Sequence, residues 1–566
     1  MRRFHIAFAL VVRGFTSLAL VCCAIPSQLQ AQTPVSWIIG SGNWTTAGNW
    51  SGGVVPNNGV PTYNVFIDGT NGGTPYTITL NSGITVSNFT MSASQASLIQ
   101  TSGSIFQTST ASISAGLYQV NGATIKGGTW TISGTGKLTF NLSSLNTLDG
   151  VNVTGSIDLS ASSAYVQLKG GSDFGPGTVM TLGNSAVLGV GQSSTLNNLT
   201  LNLGSNSRLA IEGNQSLTLA NTVILNANSG NTNLGATFNV VGTGNLTSAA
   251  TINVAAGATL NVSPTGSFTN SGTLRANSGS INIPNPSPNF TNFNTGVLTG
   301  GTYITQGTGT INFNGRAATT IGAGTTVTLD GATSVFTAIN TVTTNNGNFH
   351  LLNGRSFTAS GGTLTNAGVL TVGNTAASTL TGAIVNNSGA LLQGSGTITG
   401  AVTINGGANL APGNSPGALT LNNGLTFTGG SYTVEISGNL PGTGYDQTKL
   451  TAGNVALGSG VASLILPTPS GAFAPTDRLI IIDNAGLGTT TGNFIGLVNG
   501  AFVLDLNGVG GFPTWYIFYN ADSSIATSIS GGNDVILTPI PEPAAFLPLA
   551  SLILVYRRVA RYKART

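Results

Sequence analysis

The chain has 566 residues, of which 5% are charged, 40% are hydrophobic and 81 are glycine. A helical enzyme needs Lys, Glu and Arg on its exposed helix faces, and disordered chains are usually rich in charge, so this composition argues against both classes. The polar residues are mostly Asn, Thr, Ser and Gly. The sequence therefore predicts an all-β protein built from short strands and many turns.

Residues 1–31 have the pattern of a secretory signal peptide. Three arginines within the first 13 residues precede an apolar stretch at 15–25, and the segment ends at Ala31. We expect export through the Sec translocon and cleavage between Ala31 and Gln32. An N-terminal membrane anchor is the alternative, although the apolar stretch is well short of the ~20 residues that a span needs.

Both cysteines, Cys22 and Cys23, lie inside this predicted signal peptide. A mature chain without cysteine has no disulfide, no thiolate metal site and no cysteine nucleophile. A lipoprotein would carry a small residue before its modified cysteine, whereas Val21 precedes Cys22.

The tail at 539–566 contains a Pro-Glu-Pro motif, a mainly apolar run of 13 residues and a cationic end, in that order. The three parts are Pro541-Glu542-Pro543, residues 544–556, and the run that begins with Arg557-Arg558. Thirteen residues of helix extend only about 20 Å, less than the ~30 Å apolar core of a bilayer. The cationic end is expected to stay in the cytoplasm.

This three-part tail resembles the PEP-CTERM sorting signal of Gram-negative bacteria. The resemblance implies that an exosortase, a membrane protease-transpeptidase, processes the chain near Pro543 while the apolar run holds the tail transiently in the membrane. It also implies an exported protein of the cell surface or extracellular matrix, because exosortase-sorted proteins are typically found with exopolysaccharide. An ordinary C-terminal tail anchor is the alternative.

The charge of the chain is concentrated at its two ends. Residues 32–540 keep nine cations and 13 acids, so the formal net charge of +3 arises from the predicted targeting segments. The body has no basic patch, and we expect it not to bind nucleic acid.

Residues 32–74 are rich in tryptophan. The run at 42–56, which contains Trp44 and Trp50, resembles the opening segment of autotransporter-associated strand-repeat proteins. We predict that these rings cap the open end of a stack of strands. An exposed aromatic site for sugar stacking is the alternative.

Residues 75–430 alternate apolar and polar positions in short pieces that end in Gly, Asn or Ser, with a loose period of about 21–22 residues. One predicted series runs from Phe238 and Val240 to Leu260 and Val262, and on to Ile281 and Ile283. Two further predicted matches are Trp130 and Ile132 with Val151 and Val153, and Leu188 and Val190 with Leu209 and Ile211. This period favours a parallel β-solenoid of roughly 16 coils. A β-sandwich array or a low-complexity coil is the alternative.

The repeats resemble those of autotransporter passenger proteins. In that family the phrase at 410–417, Leu-Ala-Pro-Gly-Asn-Ser-Pro-Gly, marks the last coils. The strands lengthen after it, and we predict that residues 431–538 form a small antiparallel β-domain that closes the rod.

Candidate catalytic residues are few. His350 is the one histidine beyond the signal peptide, and it is better explained as a structural residue than as part of a triad or a metal site. The best carboxylate group is Asp149 with Asp173, 24 positions later, and Lys169; the alternative is that both aspartates cap turns. A single calcium-like phrase at 531–535 and the acid of Tyr445-Asp446-Gln447 provide no metal-ligand set, and we predict no cofactor.

We therefore expect an exported structural protein or adhesin of the surface or biofilm, associated with polysaccharide through its Thr, Asn and Ser face and not an enzyme. A β-helix polysaccharide lyase or hydrolase is the first alternative, because such enzymes use paired carboxylates. A self-assembling sheath is the second.

Overall fold

The computed structural model describes residues 32–60, 62–285, 288–467, 469–471, 473–474, 476–504, 514–525 and 528–539. The predicted signal peptide up to Ala31, the Pro541-Glu542-Pro543 motif, Arg557 and Arg558 lie outside these residues. Within them the chain is all-β and forms a parallel β-solenoid of about 17 turns, followed by antiparallel strands at its C-terminal end. The predicted fold class is confirmed.

Each coil contributes a short strand to each of three parallel faces. The first face consists of Gly42–Asn43, Tyr76–Leu80, Ala96–Gln100, Leu117–Val120, Lys137–Phe140, Ser156–Leu159, Thr178–Leu182, Leu199–Leu203, Ile224–Ala227, Thr251–Val254, Thr273–Asn277, Thr302–Gln306, Thr326–Asp330, Asn348–Leu352, Val369–Val372, Leu391–Gly394, Asn409–Pro412, Ser431–Thr433 and Ser463–Ile465.

Four longer strands bend around a corner and serve both remaining faces: Ile84–Met91, Ile105–Ile113, Ser356–Asn366 and Thr379–Asn386. The second face adds Thr124–Lys126, Thr147–Asp149, Tyr165–Lys169, Val187–Val190, Arg208–Ile211, Gly230–Gly235, Ala258–Val262, Ser280–Asn282, Thr310–Asn312, Val335–Phe336, Thr397–Ile398, Ala418–Leu421, Gln447–Leu450 and Leu479–Asn484.

The third face adds Gln32–Ser36, Thr62–Ile67, Thr129–Ile132, Asn152–Thr154, Asp173–Phe174, Ser194–Leu196, Ser216–Leu219, Asn245–Ser248, Ser267–Asn270, Asn289–Phe290, Phe293–Asn294, Val297–Leu298, Thr320–Ile321, Thr344–Asn345, Val402–Ile404, Leu425–Phe427, Val455–Ala456 and Thr490–Thr491. Short helical turns lie at Ala47–Asn49, Ser51–Gly53, Asn71–Gly73, Thr337–Ile339 and Gly458–Val461.

The alternation of the sequence determines which side chains fill the rod. Leu188 pairs with Leu209 and Val190 with Ile211, as predicted, and all four are buried. Because successive side chains of a strand point to opposite faces, every second residue enters one continuous apolar core. At ~4.8 Å per coil the solenoid is roughly 80 Å long.

The tryptophans of the first coil are buried, as an end cap requires. Trp44 packs edge-on against Trp50, with ring centroids 4.6 Å apart, and Trp50 against Trp37 at 4.9 Å. The indole N–H of Trp44 donates to the carbonyl of Pro56 at 3.2 Å. Rings that are at most 3% exposed cannot stack on a sugar, so the cap prediction is confirmed and the sugar-stacking alternative is not supported.

Parallel pairing extends beyond both predicted limits of the solenoid. The strand Gln32–Ser36 already pairs in parallel with Thr62–Ile67, and Val455–Ala456 pairs in parallel with Thr490–Thr491. Apart from the short hairpin of Phe293–Asn294 with Val297–Leu298, antiparallel strand pairing among the described residues is confined to Leu479–Asn484, Ala501–Leu504, Trp515–Ala521 and Asp534–Pro539. The strands lengthen after residue 430, but antiparallel pairing at the C-terminal end begins only at Leu479–Asn484.

Two predicted registers are wrong. Trp130 pairs with Val153 and not with Val151. Leu260 and Val262 pair with Thr232 and Leu234, whereas Phe238 and Val240 lie outside the ladder and are about half exposed. The segment 236–244 instead crosses the outside of the second face, and we call it the strap.

Candidate functional site

The predicted carboxylate group lies at one corner of the rod, between the second and third faces. Asp149 is in register with Lys169 of the next coil and with Lys126 of the preceding one. Asp173 pairs instead with Asn152, beyond the corner. The structure therefore places Asp149 beside Lys169 but does not put the two aspartates in register.

The hydrogen bonds of Asp173 go to the next coil and not to its own turn. Its two carboxylate oxygens accept the backbone N–H and the side-chain amide of Asn197, at 3.0 and 2.8 Å. Across the described chain, no group of three or more His, Cys, Asp or Glu side chains has the arrangement of a metal site. Asp173 therefore connects adjacent coils, and both of its carboxylate oxygens are engaged in that connection.

His350 lies on the outer side of the first face in a row of polar side chains. Its Nδ1 is hydrogen-bonded to the hydroxyl of Thr371 at 2.9 Å, and the amide of Gln393 donates to the same hydroxyl at 3.0 Å. Partial burial lowers the pKa of His350. The side chain therefore links neighbouring coils, as a structural histidine does.

A groove of about 700 Å³ lies on the outer side of the first face and is the candidate functional site. Its floor crosses four coils, and in three of them Gln119, Thr139 and Asp158 form a row in register. Lys137, in register with Leu117, lies beside that row. The volume of the groove is in the range of ligand pockets, and few charged groups line it. Such a groove suits recognition of a small segment of a larger ligand.

One wall of this first groove is the turn at 141–146, which carries Leu142, 68% exposed. Asn146 is fully buried beneath the turn and holds it in place. Its amide donates to the carbonyls of Asn141 and Tyr165, at 3.0 and 2.9 Å, and its oxygen accepts the N–H of Gly122 at 2.6 Å. The wall is therefore fixed before any ligand arrives.

The groove offers one cation, one carboxylate, amide and hydroxyl groups, and an apolar wall. The Asp158 carboxylate accepts the backbone N–H of Ser160 at 2.8 Å, and Lys137 is exposed and has no ion-pair partner within 4 Å among the described residues. The amide and hydroxyl groups can hydrogen-bond to the hydroxyls of a sugar chain, and Lys137 can contact one carboxylate of that chain.

Sequence reasoning did not identify Lys137, Asp158 or Leu142 as a site. Isolated charges in a repeat carry no motif, and the groove depends on stacking four coils in register. The apolar, outward Leu142 within the Asn- and Ser-rich stretch at 141–146 is the one local signal.

Comparison of the chain with protein families and with curated proteins gives no match. In the part of the chain that the structure describes, no helix has the length and hydropathy of a membrane span. The predicted tail helix lies outside that part. The geometry of the rod and its groove therefore carries the functional argument.

Proposed function

We propose that this protein is an exported structural protein or adhesin of the cell surface or extracellular matrix that binds polysaccharide on the outer side of its rod. The observation that carries the proposal is the first groove, with Lys137 beside the row that ends at Asp158. A rigid solenoid with such a groove is suited to holding a polymer, because many weak contacts add when they are presented on one scaffold.

The proposal includes the route of export. After signal-peptide removal before Gln32, an exosortase of a Gram-negative host processes the chain near Pro541-Glu542-Pro543, with Arg557 and Arg558 on the cytoplasmic side. The tail composition supports this step. The rod is then released into, or attached to, the exopolysaccharide layer.

Binding is favoured over polysaccharide cleavage because the carboxylates are too few. Asp158 is the one carboxylate among the residues that line the first groove, and it is already hydrogen-bonded to Ser160. Glycoside hydrolysis usually requires two carboxylates about 5–10 Å apart. The lysine beside Asp158 keeps a lyase as the second candidate, which a measurement of chain scission tests.

The direct test is binding of the full-length protein to alginate, an acidic polysaccharide. Lys137→Ala should weaken binding about tenfold, the usual effect of losing a charge-assisted hydrogen bond. Lys126→Ala removes an equally exposed lysine at another corner and should leave the affinity unchanged. Equal affinities of both variants and the wild type contradict the proposed groove, and shortening of the alginate chains supports the lyase.

A further inference from the structure

A second groove, of about 510 Å³, lies far from the first along the rod. It is formed where three strands of the first face turn toward the second, namely after Val369–Val372, Leu391–Gly394 and Asn409–Pro412, together with the segment at 441–443. The side chains that define it are Asn374, Thr375, Ser395, Asn414, Pro416 and Pro441.

The walls of this second groove are braced from below by a buried carboxylate. Asp446 is 2% exposed, and its two oxygens accept the backbone N–H groups of Gly417 and Glu435, at 2.8 and 2.9 Å. The carboxylate of Glu435 in turn accepts the hydroxyl of Ser415 at 2.6 Å. These bonds fix the turn at 413–418, so the groove keeps its shape without a ligand, which lowers the entropic cost of binding.

The chemistry of the second groove differs from that of the first. All of its lining residues are neutral: amides, hydroxyls, glycines, alanines and two prolines. Amides and hydroxyls are matched to sugar hydroxyl groups, and the proline rings offer apolar surface to the C–H face of a sugar. Without a cation, the groove offers no counter-charge to an acidic sugar, so it fits a neutral one.

Both grooves border the corner where first-face strands turn toward the second face: the first extends from this corner across the first face, and the second lies at the corner itself. In the ladder of the first face, Lys137–Phe140 and Leu391–Gly394 are separated by about eleven coils, which corresponds to roughly 50 Å. A single polymer can occupy both grooves only if it runs along the rod between them. Two separate chains can occupy the two grooves at the same time.

We propose that the second groove is a binding site for neutral polysaccharide, so that one rod bridges an acidic and a neutral glycan segment. This inference rests on the proposed polysaccharide-binding function and adds a second ligand class to it. A bivalent rod would cross-link a mixed matrix, since binding at one groove raises the effective concentration of glycan at the other.

The test uses full-length protein with alginate for the first groove and with dextran and laminarin, two neutral glucans, for the second. Ala377 lines the second groove, whereas its exposed neighbour Ala376 does not. Ala377→Arg should lower the affinity for at least one neutral glucan by tenfold or more and leave alginate binding unchanged. Ala376→Arg, which adds the same charge in the same turn, should bind like the wild type.

A bridging measurement completes the test. Wild-type protein on immobilised alginate should capture a fluorescent neutral glucan, and Ala377→Arg should not, while thermal melting shows that both variants remain folded. Alginate binding without any neutral-glucan binding, or equal glucan affinities of the two variants, overturns this inference and leaves the proposed function standing. If the wild-type protein does not bind alginate, the proposed function itself is contradicted.

Discussion

The carboxylate of Glu212 accepts the backbone N–H of Val240 at 2.7 Å, and the same oxygen accepts the N–H of Asn239 at 2.9 Å. Glu212 is only 3% exposed. Above it, the ring of Phe238 stacks on Tyr165 with centroids 5.8 Å apart. One buried acid therefore fastens the strap to the outside of the rod.

Removing that acid should release the strap. In Glu212→Ala the N–H groups of 239 and 240 lose their acceptor, so amide hydrogen exchange of the segment 236–244 should become at least tenfold faster. Glu212→Gln keeps one acceptor oxygen and should show a smaller effect. Exchange at wild-type rates in Glu212→Ala would show that the strap is held by its aromatic contacts instead.

A buried row of asparagines should contribute more to stability than an exposed one. Asn366 is fully buried; it accepts from Asn345 and donates to Asn386, each at 2.7 Å. Asn366→Ala takes one partner from the buried amide N–H of Asn345 and one from the buried amide oxygen of Asn386, and it should lower the free energy of unfolding by about 1–3 kcal/mol.

The matched control is Asn226→Ala, because Asn226 occupies a similar row with Asn202 and Asn253 but is half-exposed. Water can replace its lost bonds, so we expect a change within about 0.5 kcal/mol. Urea denaturation of both variants measures the difference, and equal losses would argue against burial as the cause.

The tryptophan cap should protect the first coils locally. Trp44→Ala removes a fully buried indole and should cost about 3–5 kcal/mol in the N-terminal coils. Because each coil of a solenoid contacts only its neighbours, hydrogen exchange should rise in Thr62–Ile67 and stay unchanged in Val369–Val372. Uniform acceleration along the whole rod would contradict this nearest-neighbour behaviour.

Asp446 should make stability fall as the pH rises. Burial raises the pKa of Asp446 to about 6, despite its two backbone hydrogen bonds, whereas an unfolded aspartate has a pKa of about 4. Between these values the folded protein binds the proton more tightly, so this contribution to stability is complete below pH ~4 and is lost as the pH passes 6.

Comparison with Asp446→Asn isolates that contribution, because burial lowers the pKa of His350 and thereby gives the opposite pH dependence. The urea midpoint of the wild type, relative to that of Asp446→Asn, should be lower at pH 7 than at pH 4. A difference that stays constant over this range, or that shifts in favour of the wild type, would show that the carboxylate is not protonated in the folded protein at pH 5.

Processing can be measured on protein from its native host. The intact mass should show loss of residues 1–31 and of the tail beyond Pro543 in material from the medium or cell surface. An uncleaved tail, found only in the membrane fraction, would replace sorting by simple anchoring and leave the polysaccharide grooves to be tested separately.

The sequence by itself determined the fold class, the end cap and part of the register. Strict alternation and a period near 21 are local properties, and they placed Leu188 opposite Leu209 correctly. The same pattern failed at Phe238, because 236–240 and 258–262 are nearly identical in sequence. What separates them is the buried Glu212 on the preceding coil, a contact that no local pattern contains.

Both grooves were likewise decided by tertiary structure alone. Lys137 and Asp158 form a site only because stacking puts their strands on adjacent coils. Asn374 meets Pro441 only because the 66 intervening residues wind three times around the rod. Coil lengths vary enough that a repeat period cannot predict which turns meet. The alternation of apolar and polar residues along a strand determines which side chains are buried. The depth of a groove depends on the length of each turn and on the buried side chains that hold the turn in place.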